Sequence, residues 1–506
     1  MLKKIRISLA AIFFIFITLL FLDFTGTLHV WFGWMAKAQL VPAILALNVV
    51  VIVLLVLLTL LLGRVYCSVI CPLGVFQDIA AWFGKRGKKL PYSFSPAKSW
   101  LRYGILALFV VAMIFGVGVI VPLLDPYGAF GRIANSLLSP VWQWGNNLLA
   151  IIAERVDSYA FYRKDVWLKS LPTFIVAMVT VVVVVVLAWR NGRTYCNTIC
   201  PVGSFLGLLS PYSFFQVRID GQNCNNCNIC ARNCKAACID AKEMKVDNSR
   251  CVACMNCIEK CDKDAIGYRF GVPKFEIAKS GKERILSENT DNKSRKEFLV
   301  TSMILATSAL KAQLLPPQAT EVKIDGGLAD IIGKVAPERL TLLTPAGSQS
   351  ARNMKRKCTA CQLCVTTCPN DVLRPSTSSG TFMQPTMSFE RGYCRPECVK
   401  CSEVCPSGAI TKITKEVKSS TQIGQAVWRR GSCIPIRDNV QCNNCERRCP
   451  TNAIVMVPSV AGDYNSLKIP AINEALCIGC GACEYLCPSR PLSAIYVEGH
   501  QIHKII

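Results

Sequence analysis

Histidine is almost missing from this chain: three occur in 506 residues, and only His29 falls in the apolar N-terminal half. That scarcity removes a bis-histidine haem built within the subunit. No Cys-x-x-Cys-His run occurs, which removes a covalently attached c-type haem. Neither a GxGxxG turn nor a P-loop is present, so the sequence offers no dinucleotide or ATP site. Acidic residues are also short: 33 Asp and Glu stand against 57 Lys and Arg, for a formal charge of +24. Such a surplus usually points to nucleic acid, and the cysteines argue against that reading.

What the chain has instead is cysteine, 29 of them in a sequence that is 52% hydrophobic. Twenty-four fall into six groups of four. The first two read Cys224-x2-Cys227-x2-Cys230-x3-Cys234 and Cys251-x2-Cys254-x2-Cys257-x3-Cys261. The other four are Cys358, Cys361, Cys364 and Cys368; Cys394, Cys398, Cys401 and Cys405; Cys433, Cys442, Cys445 and Cys449; and Cys477, Cys480, Cys483 and Cys487. A CxxCxxC run wraps three thiolates round one face of a cubane, and the fourth cysteine, three residues on, reaches the partner cluster. Disulfide frameworks belong to small secreted domains, and zinc prefers paired CxxC or Cys/His sets. The quartets therefore predict six [4Fe–4S] clusters. Each core with its four thiolates carries about two negative charges. Six would cancel roughly half of the positive surplus, and much of the remainder flanks apolar runs, where it orients a chain. Nucleic acid is not an expected partner.

Four apolar runs approach the length of a bilayer span: Ile7–Leu22, Gln39–Gly63, Tyr103–Leu124 and Leu171–Trp189. Lys3, Lys4 and Arg6 precede the first; Arg64 and the run Lys85-Arg86-Gly87-Lys88-Lys89 follow the second; Arg190 and Arg193 follow the fourth. The positive-inside rule places these flanks on the cytoplasmic side. The loop from Asp125 to Ser170, carrying Trp142, Trp144 and Trp167, then faces out. A repeat sits on this frame. Gly63-Arg64-Val65-Tyr66-Cys67-Ser68-Val69-Ile70-Cys71-Pro72-Leu73-Gly74 recurs as Gly192-Arg193-Thr194-Tyr195-Cys196-Asn197-Thr198-Ile199-Cys200-Pro201-Val202-Gly203. Each copy follows the second helix of a two-helix pair, which predicts a tandem parallel duplication. Cysteines four apart share a helical face, and the Pro that follows suits a new helix start. Cys67, Cys71, Cys196 and Cys200 are therefore candidates for a further metal centre or a redox relay; a packing corner with inert thiols is the alternative.

The expected architecture is an α-helical membrane domain of four helices (residues 1–215) followed by α+β ferredoxin-like [4Fe–4S] domains. The first, 216–270, is a two-cluster unit. Exchange of the fourth cysteine gives Cys224, Cys227, Cys230 and Cys261 for one cluster, and Cys251, Cys254, Cys257 and Cys234 for the other. Lys235 and Asp262 stand where proline often follows the fourth cysteine, and Cys238 reads as a packed thiol. Residues 271–317 are a linker. It contains Ser294-Arg295-Lys296-Glu297-Phe298-Leu299 ahead of the mildly apolar Phe298–Leu310, a twin-arginine-like signal with one arginine replaced or a fifth membrane segment. Residues 318–506 hold the remaining sixteen ligands, each quartet ending in Cys-Pro.

On these motifs the chain resembles two families joined end to end. Residues 1–270, with two CxxxCP motifs and two ferredoxin-type clusters, resemble NapH. Residues 290–506 resemble NapG and its MauM relatives, on Lys357-Cys358-Thr359-Ala360-Cys361-Gln362-Leu363-Cys364, Cys405-Pro406-Ser407-Gly408-Ala409-Ile410 and Cys477-Ile478-Gly479-Cys480-Gly481-Ala482-Cys483. The resemblance implies a quinol dehydrogenase component: a multi-pass protein of the bacterial inner membrane that passes electrons from (mena)quinol to a periplasmic reductase of the nitrate reductase type or its cytochrome subunits. It places 216–270 in the cytoplasm and 318–506 in the periplasm. By analogy it also implies a nested exchange in the last domain. Cys358, Cys361 and Cys364 would close with Cys487, and Cys477, Cys480 and Cys483 with Cys368. Cys394, Cys398 and Cys401 would close with Cys449, and Cys433, Cys442 and Cys445 with Cys405. Quinol oxidation needs a proton acceptor near a membrane-facing pocket; Asp23, His29 and Asp125, at outer helix ends, are the candidates. Two other readings remain: electron supply for maturing a metalloenzyme, and a membrane-anchored polyferredoxin with every cluster in the cytoplasm.

Overall fold

The computed structural model describes residues 2–86, 92–158, 160–271 and 332–506, together with two paired strands, Lys323–Asp325 and Ala329–Ile331. The side chains of the basic run 85–89, the twin-arginine-like segment 294–299 and the apolar stretch 298–310 lie outside the described residues.

Two helices, Leu2–Leu22 and Leu171–Asn191, are 21 residues long and apolar enough to cross a membrane; at about 1.5 Å per residue each matches a hydrocarbon core of about 30 Å. The second is rich in valine, which disfavours helix in water. Its buried residues Thr173, Ala177, Val184 and Ala188 form one stripe at helical spacing, and Val179, Val182, Val183 and Val186 point outward. The other two apolar runs are interrupted. Gln39–Gly63 divides into Leu40–Leu45 and Val49–Leu62, because Leu47 turns left-handed (φ 55°) and the Asn48 side chain caps the new helix at Val51 N. In Tyr103–Leu124 the helix Ser99–Phe115 stops at Gly116 (φ 67°) and resumes as Ile120–Leu124. Of the four expected spans, two have full length; Val49–Leu62 and Ser99–Phe115 have 14 and 17 residues.

Each repeat folds as a helical hairpin that leaves one end of this bundle and returns to it. In the first copy Val65–Val69 leads in and Pro72–Arg86 leads back; in the second, Thr194–Thr198 and Pro201–Leu209 do the same. The first hairpin packs on Leu2–Leu22 and on Leu171–Asn191, the second on Ser99–Phe115 and on Val49–Leu62. Each therefore sits between the first helix of its own pair and the second helix of the other, the signature of a pseudo-twofold duplication.

The two cluster domains occupy opposite ends of the bundle. The domain at 215–271 is framed by the antiparallel strands Phe215–Ile219 and Ile266–Phe270, with Ile219 opposite Ile266. It docks where the hairpins begin: Tyr268 Oη donates to Leu62 O (2.9 Å) and Arg102 Nη2 to Ser249 O (2.9 Å). The C-terminal domain is built on a ribbon of Thr421–Trp428 with Ile495–Ile505 and short hairpins. It rests on the other end: Lys400 Nζ donates to Thr25 O (2.8 Å), Lys169 Nζ to Val365 O (3.3 Å), and Asn135 Nδ2 to Gln362 Oε1 (2.7 Å). Asn135 lies in a π-helical turn, Ala134–Leu138.

Candidate metal centres

The quartets are gathered by exchange between neighbours. In the N-terminal cluster domain Cys224, Cys227, Cys230 and Cys261 line one cavity. Cys234, Cys251, Cys254 and Cys257 line another, together with Cys238. Cys238 lies beside that set, its Sγ 3.5 Å from Cys234 Sγ.

In the C-terminal domain the exchange is also local, which corrects the nested pairing. Cys405, not Cys487, faces Cys358, Cys361 and Cys364. Cys368, not Cys449, joins Cys394, Cys398 and Cys401. Cys487, not Cys405, closes Cys433, Cys442 and Cys445 round a cavity. Cys449, not Cys368, closes Cys477, Cys480 and Cys483 round another. The reason is reach. The short helices Leu363–Thr367 and Lys400–Val404 pack together, as do Asn444–Arg447 and Ala482–Leu486, so each fourth cysteine has only to cross one helix pair. A nested exchange would carry it into the other unit.

The donor set fits the group. Among the described residues no three Cys, His, Asp or Glu side chains crowd together as ligands of a single ion must; the sulfurs stand apart round cavities, as a polynuclear core requires. Backbone amides are aimed at the fourth sulfur of three quartets. Ile410 N donates to Cys405 Sγ (3.4 Å), Ala453 N to Cys449 Sγ (3.2 Å) and Ala494 N to Cys487 Sγ (3.3 Å). Such bonds, with burial, set cluster potential. The nests form a line: Cys364 lies near Cys401, Cys394 N donates to Cys480 O (2.9 Å), and Cys483 lies near Cys445.

The CxxxCP thiols converge. Cys67, Cys71, Cys196 and Cys200 are buried at 4–5% exposure and lie within electrostatic reach of one another. The arginine of each copy clamps the other copy. Arg64 Nη2 donates to Cys196 O (3.2 Å) and Nη1 to Asn197 Oδ1 (2.8 Å); Arg193 Nη1 donates to Cys67 O (2.6 Å). A Cβ at Gly74 would overlap Cys67 O, and one at Gly203 would overlap Cys196 O, so both glycines are required by the close approach. On charge pattern alone Arg64 and Arg193 read as flanking charges. Both are fully buried, and the signal that could have found them was their fixed place three residues before a cysteine. Burial pushes the thiols of Cys71, Cys196 and Cys200 up. As bare thiols they are poor exchange nucleophiles, because that chemistry runs through the thiolate.

The three quinol-site candidates separate. Asp23 and His29 pair with each other (Nδ1–Oδ2 3.4 Å) next to the C-terminal domain. Burial alone would raise the Asp23 carboxyl, but bonds from His29, Thr25, Gly26 and Leu28 hold it well below the usual range, so it is a structural anion. Asp125 is fully buried and caps the helix Pro126–Ile133 through Tyr127 N (3.2 Å) and Gly128 N (2.8 Å). Burial pushes it up to about 7 against those bonds and Arg132. It lies within electrostatic reach of Tyr66 and Tyr195 on one side and of Cys361 on the other. Sequence reasoning missed Lys169, half-buried against the helix Leu363–Thr367, where it donates to Val365 O; desolvation lowers it to about 8.

Comparison with known proteins agrees with this chemistry. Residues 44–91 and 172–219 match a family described as a 4Fe-4S binding domain, and 357–419 and 440–490 match one described as a 4Fe-4S dicluster domain. The chain is similar to the ferredoxin-type protein NapF of Escherichia coli (strain K12), 28% identical over 159 residues, covering 31% of this chain and 87% of the relative. It is similar to YccM of the same organism, 26% identical over 227 residues, 44% of this chain and 55% of the relative. It is also similar to the methylamine utilization ferredoxin-type protein MauM of Methylobacillus flagellatus, 26% identical over 152 residues, 29% of this chain and 64% of the relative. No solved structure matches. Fold and site thus define a multi-cluster ferredoxin. The chain is an iron–sulfur electron-transfer protein of the ferredoxin type that binds [4Fe–4S] clusters and is related to NapF, MauM and YccM.

Proposed function

We propose that this protein is a membrane-anchored relay with six [4Fe–4S] clusters in its quartets, drawing electrons from quinol and delivering them to a reductase across the membrane. In this reading residues 1–270 work as a NapH-type module and 318–506 as a NapG-type module fused to it. One observation carries the reading. The two cluster domains sit at opposite ends of the apolar bundle, and a single buried core contains Cys254 of the first, Cys67, Cys71 and Cys200 of the hairpins, and Cys358, Cys361 and Cys364 of the second. Clusters supply one-electron chemistry; the protein supplies placement and tuning. Cys254 and its partners stand at the hairpin end, and the set closed by Cys405 stands at the other, beside Asp125. In this reading Asp125 accepts the proton that quinol releases.

Two measurements test it. A tag after Ile506, probed with protease in intact spheroplasts, should be cleaved; protection until lysis would leave every cluster in the cytoplasm and end the transmembrane reading. Quinol-dependent cluster reduction should rise as pH passes upward through about 7, where Asp125 becomes a carboxylate. Asp125→Asn should abolish that limb and slow reduction by about 10²-fold or more, the usual worth of a positioned base. Unchanged turnover would remove Asp125 from the quinol step.

A further inference from the structure

We propose that Cys67, Cys71, Cys196 and Cys200 hold a seventh [4Fe–4S] cluster, with two ligands from each repeat. Neither copy of the motif carries a complete ligand set. The matched 4Fe-4S binding stretches 44–91 and 172–219 contain two cysteines each, so a four-thiolate centre exists only where the hairpins meet. The structure brings them together there, and the surroundings have the character of a cluster's environment.

Three observations point to an anionic occupant. The first is donors aimed at sulfur: Gln77 Nε2 to Cys196 (3.2 Å), Gly203 N to Cys200 (3.4 Å), and the guanidinium groups of Arg64 and Arg193 to Cys67 and Cys196 (3.9 Å each). The second is charge. Arg64 and Arg193 are 0% and 1% exposed, and among the described residues Arg64 makes no salt bridge. A buried cation without a counter-charge is costly, and a cubane with four thiolates carries about two negative charges. The third is incomplete satisfaction: Arg64 Nε and Arg193 Nη2 are buried with no hydrogen-bond partner.

Position gives such a centre its use. Arg64 also donates to Ser249 O (3.0 Å), two residues before Cys251 of the inner N-terminal cluster. From the thiols the buried core continues through Tyr195, Arg132 and Asp125 to Cys361. Electron transfer falls off steeply with distance, so a centre here would split the path between the two cluster domains into shorter hops. Each hop moves one electron, re-oxidising the donor cluster as it reduces the next. This role rests on the relay reading; the site does not.

The test is iron and acid-labile sulfide per chain in the anaerobically purified, full-length protein. Seven clusters require roughly 28 of each, six roughly 24. The double variant Cys71→Ser, Cys200→Ser should lose about four irons and four sulfides, together with one component of the reduced EPR spectrum. Wild-type protein with roughly 24 irons would overturn the proposal, as would an excess of about two irons, or zinc or copper bound at these cysteines. Because the wild-type count decides alone, misfolding of the variant cannot rescue the idea. Because it involves no quinol, it can fail while the relay stands.

Discussion

Arg64 and Arg193 occupy the same place in the two copies of the repeat and are neutralised differently. Arg193 Nε donates to Asp78 (2.6 Å), which also receives Lys235 (2.6 Å) and Arg6 (3.0 Å). Arg64 relies on neutral acceptors: Asn197, Ser249 O and Cys196 O. The second-copy equivalents of Gln77 and Asp78 are Leu206 and Gly207, and the space that a side chain at Gly207 would need is filled by Arg102. The backbone has been duplicated and the charge has not. Both copies nevertheless grip the same nest: Asp78 of the first and the Arg193 N–H of the second hold Lys235, next to Cys234, and Arg64 of the first reaches Ser249 O, two residues before Cys251. The asymmetry is how a symmetric bundle seats a single ferredoxin domain in one orientation.

Asp78 is the costliest residue to lose. Asp78→Ala leaves three cations round an empty site, two of them fully buried, and breaking a buried pair from one side typically costs about 3–5 kcal/mol. Chemical unfolding of the detergent-solubilised protein measures it. Arg64→Met should cost less, about 1–3 kcal/mol, because it removes hydrogen bonds but also a charge that lacks a carboxylate. Equal losses would mean that the two sides are not built differently. The pH dependence has a definite sign. Burial opposes ionisation of Asp78, but Arg193 and Lys235 hold its carboxyl far below the ordinary value. Its contribution is therefore present above the unfolded carboxylate's pKa of about 3.9 and is lost as pH falls below it.

The glycines test the symmetric part. Gly74→Ala and Gly203→Ala each put a Cβ into the facing cysteine's carbonyl oxygen, and overpacking of this kind costs about 1–3 kcal/mol. The two variants should lose similar stability, and both should weaken the meeting of the thiols. A variant that is tolerated in one copy only would break the pseudo-twofold account.

Much of this organisation is legible in the sequence. Cysteine spacing marked the nests, and the repeat predicted the tandem duplication with a new helix start at each Pro, because both depend on local chain reach; Cys67 and Cys71 nonetheless do not share one helix. The nested pairing failed because it was borrowed by analogy, whereas the distance a Cys-Pro turn can cover selects the neighbouring run. Apolar length overstated the spans because Leu47 and Gly116 break helices within runs that hydropathy reads as continuous. Lys235 looked like the loss of a conformational constraint. Its ion pair with Asp78, 157 residues earlier in the chain (235 minus 78), could not be seen from either segment alone.

Smaller effects sharpen the contrast between copies. Gln77 donates to Cys196 Sγ (3.2 Å), and its counterpart Leu206 cannot donate. A hydrogen bond to a cluster sulfur stabilises the reduced, more negative state, so Gln77→Leu should lower the potential of the seventh centre. A bond worth about 0.5–1.5 kcal/mol corresponds to roughly 20–60 mV for one electron, within reach of a redox titration followed by EPR. Leu206→Gln should not produce the opposite shift unless its amide also reaches a sulfur. The mildest change is Cys238→Ala. That thiol is 1% exposed, lies against Cys234 at 3.5 Å and lines the same cavity as the four expected ligands. Iron and sulfide should stay at the wild-type count while the neighbouring cluster's potential falls slightly, through loss of one weak S–H contact. Loss of a whole cluster would instead make Cys238 a ligand and return Cys234 to the role of packed thiol.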